Sequence, residues 1–122
     1  DYPKIKTANG LTKFICNFLL WQEWRATRIA STGRLVDGTE RTASGLLLGV
    51  KKWIPGTTRK GTADISATIR GRSVMWEVKV GKDKPSPYQL AEAERERKAG
   101  GHYFFVHTPQ EFFEQYDFVL SL

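Results

Sequence analysis

The sequence predicts a mixed α/β fold, a β-sheet with helices on its faces. Three observations point there. Residues 63–80 read as a β-hairpin, two alternating apolar–polar runs around Gly71-Arg72. Residues 74–106 read as strand, helix, strand, a crossover of the length that joins parallel neighbours. Helical spacing of apolar residues opens the chain at 11–24 and closes it from Pro109 onward. The resulting order of helix, several strands, helix, strand, helix packs as layers around one core.

The elements follow in order. The first ten residues are polar and are expected to fray. From Leu11 to Trp24 an apolar stripe runs through Phe14, Ile15, Phe18 and Leu19 as far as Gln22, with Asn9 or Thr12 as the cap. Arg25 to Val36, rich in Thr, Ile and Val, predicts a strand ending in a turn near Gly33. Asp37 to Gly45 reads as a polar loop, Leu46 to Val50 as a short strand, and Lys51 to Gly61 as a second loop carrying charge and turn residues. In the hairpin, Gly71 at the first loop position favours a type II′ turn. Arg70 then faces Ser73, Ser66 faces Glu77 and Asp64 faces Lys79. Alternation sets Asp64, Ser66, Glu77 and Lys79 on one face, and Ile65, Ala67, Ile69, Val74, Trp76, Val78 and Val80 on the other, a core face. Ser86, Pro87 and Gln89 form a capping box at the start of a helix that Gly100-Gly101 ends. Tyr103 to Val106 is a short buried-type strand, and Phe112, Phe113, Tyr116 and Val119 mark the closing helix.

A length of 122 residues, 40% of them hydrophobic, is enough for one domain with a core of its own. No apolar run approaches the ~20 residues of a membrane span, and Asp1-Tyr2-Pro3 does not look like a secretory signal. One cysteine, Cys16, excludes an internal disulfide framework, and with only His102 and His107 beside it a closed zinc site is excluded too. These features predict a reducing, cytoplasmic setting. The net charge is +6, and it is concentrated: residues 1–60 hold 11 Lys/Arg against 4 Asp/Glu, and residues 61–122 hold 8 against 9. A basic half beside a neutral half predicts a polyanionic partner, nucleic acid first. Arg28, Arg34, Lys51, Lys52, Arg59, Lys60, Lys82 and Lys84 are the candidate phosphate contacts. His107 is expected to be structural, and Trp53 is the tryptophan best placed to stack on a base.

Two carboxylates and a lysine on one hairpin face, among apolar neighbours, repel one another unless something neutralises them. A divalent cation would, because Mg²⁺ takes one or two carboxylates together with water and phosphate oxygens. Asp64, Glu77 and Lys79 therefore supply the parts for metal-assisted phosphodiester hydrolysis.

These residues carry a family resemblance. Gly61-Thr62-Ala63-Asp64-Ile65, then Trp76-Glu77-Val78-Lys79, then Ser86-Pro87-Tyr88-Gln89 resembles the PD-(D/E)XK nuclease superfamily, most of all its VRR-NUC type, which is related to archaeal Holliday junction resolvases. The resemblance implies a restriction-endonuclease-like mixed β-sheet flanked by helices over about residues 11–108. It implies that Asp64, Glu77 and the Val78 carbonyl hold Mg²⁺ or Mn²⁺, that Lys79 serves the attacking water, and that Gln89 stands close to the site. Ala63 stands where the superfamily name implies Pro. Family members often add a Glu from the first helix, where this sequence has Asn17 in the middle and Glu23 near the end. The implied activity is a metal-dependent DNA endonuclease of phage or mobile-element type, in a bacterial or phage-infected cell, acting on branched or nicked DNA, with a homodimer as an open assembly state. The alternative is a catalytically inactive nucleic-acid-binding module, and a third reading is an interaction subunit of a larger complex.

Overall fold

The structure, a computed structural model, describes residues 2–29 and 63–122 in full and the backbone of residues 34–41 and 47–54. The chain divides into two compact units, residues 30–59 and the remainder. The smaller unit contains two antiparallel strands, β2 (Arg34–Arg41) and β3 (Leu47–Ile54). Both overwrite expected loops: Asp37 to Arg41 continues β2, and Lys51 to Ile54 continues β3. Pairing supplies what the local sequence lacks, since the register sets polar Asp37, Gly38 and Thr39 opposite Lys51, Val50 and Gly49.

The larger unit begins with α1 (Ala8–Trp21), three residues earlier than its apolar stripe suggests. Thr7 caps it, accepting a hydrogen bond from Gly10 N–H at 3.0 Å, while Thr12 spends its hydroxyl on the Ala8 carbonyl inside the helix. The residues ahead of the helix are tied down as well: Ile5 packs against the core and the Tyr2 ring stacks near Phe113. The helix ends in a Schellman motif. Glu23 N–H bonds to Leu20 O and Trp24 N–H to Leu19 O, with Glu23 itself at φ 65°.

β1 (Arg25–Arg28), β4 (Ile65–Ile69), β5 (Arg72–Val78) and β6 (His102–Val106) then form a mixed sheet in the order β1-β4-β5-β6. The first two pairings are antiparallel and β5–β6 is parallel. The parallel pair is joined through α2 (Pro87–Lys98), the expected crossover, which stops at Ala99 ahead of Gly100 at φ 95°. α3 (Pro109–Leu120), capped by Thr108, closes the chain. The three helices flank the sheet. Leu11, Ile15 and Leu19 of α1 and Phe112, Tyr116 and Val119 of α3 share one core with Ile65, Ala67, Ile69, Val74, Trp76, Val78 and Val106. α2 takes the opposite face, where Ala93 packs with Tyr103, Ala63, Met75 and Phe105. Among the described residues no helix is long and apolar enough to cross a membrane.

The hairpin faces are as expected and its register is not. Ile69 pairs with Arg72 and Ile65 with Trp76, so the loop residues are Arg70 and Gly71, at φ 51° and 79°. Two positive φ values define a type I′ turn rather than II′. A non-glycine residue in that region is disfavoured. Arg70 recovers part of that cost in tertiary contact, since its guanidinium donates to the Leu120 carbonyl at the end of α3 at 2.8 Å. The partner of each residue thus moves by two positions, which keeps every side chain on its face; a shift by one would have reversed them.

Candidate functional site

The corrected register determines how the two acids meet. Continued one step past the Ile65–Trp76 pair, it sets Asp64 opposite Glu77 and not opposite Lys79. Both lie on the α2 side of the sheet. Asp64 Oδ2 accepts the Val78 N–H at 2.9 Å, which pins the end of β4 to β5. Glu77, paired with Phe105 on β6, is 5% exposed. Its Oε1 accepts from Gln89 Nε2 at 2.9 Å and lies 3.8 Å from Lys79 Nζ. Its Oε2 is buried with no hydrogen-bond partner among the described residues.

Gln89 comes from the first turn of α2 and works at both ends of its amide. Its Oε1 accepts Ser86 N–H at 2.8 Å, and Ser86 Oγ accepts Gln89 N–H at 3.2 Å, the two halves of the capping box. With the oxygen committed to the cap, the NH₂ group is the end that faces Glu77. Cap and site contact are one side chain.

The electrostatics match the geometry. Burial, first, and then the charge and hydrogen bonding of Asp64 push the Glu77 carboxyl up to about 8, against the opposing pull of Lys79. Tyr103 lies two residues before Phe105 on the same face of β6 and is 3% exposed. Its phenol is held well above the usual range by burial and then by the Glu77, Asp64 and Glu92 carboxylates, with Arg97 opposing. The pocket floor is thus a dry wall of Met75, Tyr103 and Phe105 under concentrated negative charge. Tyr103 was not legible as a neighbour of the acids, because its place depends on the parallel β5–β6 register and no local pattern encodes that.

The site is chemically suited to a hard divalent cation: two carboxylates, one buried oxygen lacking a partner, and a carboxyl that keeps its proton only for want of a counter-charge. Among the described residues no three His, Cys, Asp or Glu side chains cluster, so the acid ligands number two. Glu23 is exposed and serves as the left-handed residue ending α1, and Asn17 is exposed on α1 beside Phe14, Phe18, Leu20 and Trp21.

The basic candidates scatter. Lys82 and Lys84 are exposed on the loop that joins the strand of Glu77 and Lys79 to the helix of Gln89. Arg28 pairs with Ile65 on β4, which puts it on the α1 face and not with the acids; it acts on the half-buried Cys16, whose thiol burial nevertheless pushes up. Arg34, Lys51 and Lys52 sit on β2 and β3 of the smaller unit, as does Trp53. Arg59 and Lys60 lie outside the described residues. His107 is structural, as expected: its Nδ1 and its backbone N–H both lie 2.7 Å from Glu111 Oε1 at the start of α3.

No protein-family model and no curated protein sequence matches this chain.

Proposed function

We propose that the chain is a Mg²⁺- or Mn²⁺-dependent DNA endonuclease of the PD-(D/E)XK superfamily, VRR-NUC type, with a restriction-endonuclease-like fold. The observation that carries the reading is the buried Asp64–Glu77 pair with the unpartnered Glu77 Oε2, flanked by Lys79 and Gln89. The mixed four-stranded sheet and the crossover helix that delivers Gln89 are consistent with it.

In this reading Asp64, Glu77 and the Val78 carbonyl would hold the cation. When bound, it would activate water at neutral pH and neutralise charge building on the scissile phosphate. Asp64 is oriented by the Val78 N–H, and Glu77 by the Gln89 amide, so each carboxylate keeps one fixed oxygen and one for binding. Lys79, 15% exposed in its side chain, is the ammonium that orients the attacking water and stabilises the developing anion. Tyr103, Met75 and Phe105 exclude bulk water beneath the acids, which strengthens every charge interaction there. The basic half of the chain supplies nonspecific attraction for DNA, branched or nicked substrates being the expected targets, in the cytoplasm of a bacterial or phage-infected cell.

Calorimetric titration with Mn²⁺ tests the reading at the level of the site. Wild type binds weakly, as two carboxylates with the remaining positions left to water should. Asp64→Asn keeps an oxygen for the Val78 N–H but gives up the charge, and it loses the Mn²⁺ heat. Equal heats in the two proteins refute the ligand assignment. The pairing of only two acids is the one feature that favours a second reading, an inactive DNA-binding module, and that module would bind DNA equally with and without Mn²⁺.

A further inference from the structure

The face of the sheet that carries the acids is only half covered. α2 packs over β6 and onto Met75 of β5. On β1 and β4 the same face bears Arg25, Thr27, Ser66 and Thr68, aligned by register: Arg25 opposite Thr68, and Thr27 opposite Ser66. Arg25 and Thr27 are exposed, and Ser66 and Thr68 are half-buried. The Arg25 guanidinium lies across both β4 hydroxyls, its Nη1 3.5 Å from Ser66 Oγ and 3.4 Å from Thr68 Oγ1, contacts long enough to leave it free to bind elsewhere. Asp64 is the next member of the row 68, 66, 64, and Glu77 stands beside it. A row of guanidinium and hydroxyl donors therefore runs across open sheet to a 95%-buried carboxylate with one orphaned oxygen.

An exposed sheet face on which both strands present only polar side chains offers nothing for an apolar helix or a second sheet to bury. Hydroxyls and a guanidinium are the groups that contact phosphate oxygens along a nucleic-acid backbone. We propose that this half-face is the track of the substrate's phosphodiester backbone, with Arg25 as its phosphate clamp and Thr27, Ser66 and Thr68 as the hydroxyl lining. The inference rests on the nuclease reading for its direction toward Asp64 and Glu77. It also exchanges one expected contact for another: Arg28, three residues along the same strand, faces the α1 side instead.

That neighbour makes the test. Neither arginine forms an ion pair among the described residues, so both remove one charge from one edge strand and only the face differs. Binding of a short labelled DNA duplex is measured in CaCl₂ over a range of salt for wild type, Arg25→Ala and Arg28→Ala, with melting temperatures as the folding control. One lost phosphate contact flattens the log–log salt slope by about 0.9 and weakens binding on the order of tenfold at low salt. Arg25→Ala is expected to do both and Arg28→Ala neither. Should Arg25→Ala loosen the edge strand, Arg25→Thr keeps a strand-forming residue and must show the same slope change. Equal effects of the two arginines mean diffuse charge and overturn the proposal, as does an unchanged slope in Arg25→Ala or Arg25→Thr. The readout is binding alone. A protein that binds through Arg25 and never cuts loses the nuclease reading and keeps the clamp, while one that cuts but binds equally without Arg25 loses the clamp only.

Discussion

Gln89 Nε2 lies 2.9 Å from Glu77 Oε1, and the direction of that amide is set by the helix it caps. The capping box is therefore also the device that orients the buried acid. Ser86→Ala separates the two roles. It deletes the hydroxyl but leaves the backbone N–H that holds Gln89 Oε1, so it should cost about 1 kcal/mol in denaturant unfolding and leave Mn²⁺ affinity and cleavage near wild type. Gln89→Ala loses the reciprocal half of the box and the donor to Glu77, and cleavage should fall at least tenfold. Similar cleavage by both variants would reduce Gln89 to a cap.

The Glu77 carboxyl, raised to about 8, ties metal-free stability to pH. The folded state holds this proton over a range, from roughly 4.5 to 8, in which the unfolded chain has released it. Stability from this group is therefore complete at acid pH and is lost as pH rises toward 8. Glu77→Gln removes the titration. In chelator, the variant should gain on wild type between pH 5 and pH 8.5, by up to a few kcal/mol at ~1.4 kcal/mol per pKa unit. A constant difference across that range would show that Glu77 is not buried beside a second acid.

Glu23, at φ 65°, occupies the left-handed position that ends α1 and that glycine fills at least cost. Glu23→Gly should raise stability by about 1 kcal/mol in chemical denaturation and leave Mn²⁺ affinity unchanged. A loss of Mn²⁺ affinity would make Glu23 the missing acid of the site.

How much of this was legible in the sequence depends on the range of the interaction that decides each feature. Ser86, Pro87 and Gln89 declare their cap within four residues, and the hairpin's two faces follow from alternation alone. The register does not. Gly71 can stand first or second in a two-residue loop, and the choice made here leaves Arg70 at φ 51°, which only the distant Leu120 carbonyl helps to offset. That shift of two positions brings Asp64 to Glu77 instead of to Lys79, so the site residues were readable while their pairing was not. The start of α1 was ambiguous for a different reason: Thr7, Asn9 and Thr12 are all competent caps, and packing chose the first. β2 reads as a loop because its polar residues alternate with nothing apolar, and it exists by pairing with β3. Arg28 stood out as a charge, yet strand alternation assigns the acid-bearing face to Arg25.

Lys79 is placed by the account as an ammonium beside the acids and not as a structural partner. Its contact with Glu77 is loose, at 3.8 Å. Lys79→Ala should change stability by less than about 1 kcal/mol, retain Mn²⁺ binding, and lose cleavage. Cleavage at wild-type rate in that variant, read on single-turnover gels, would remove Lys79 from the chemistry.

The most direct measurement is nicking of supercoiled plasmid with Mn²⁺ and with chelator, by wild type and by Glu77→Ala, with circular dichroism confirming that both are folded. The account predicts nicking by wild type that requires the metal and none by Glu77→Ala. Undiminished nicking by folded Glu77→Ala, or no nicking by wild type on linear, nicked or branched DNA in Mn²⁺, would contradict it.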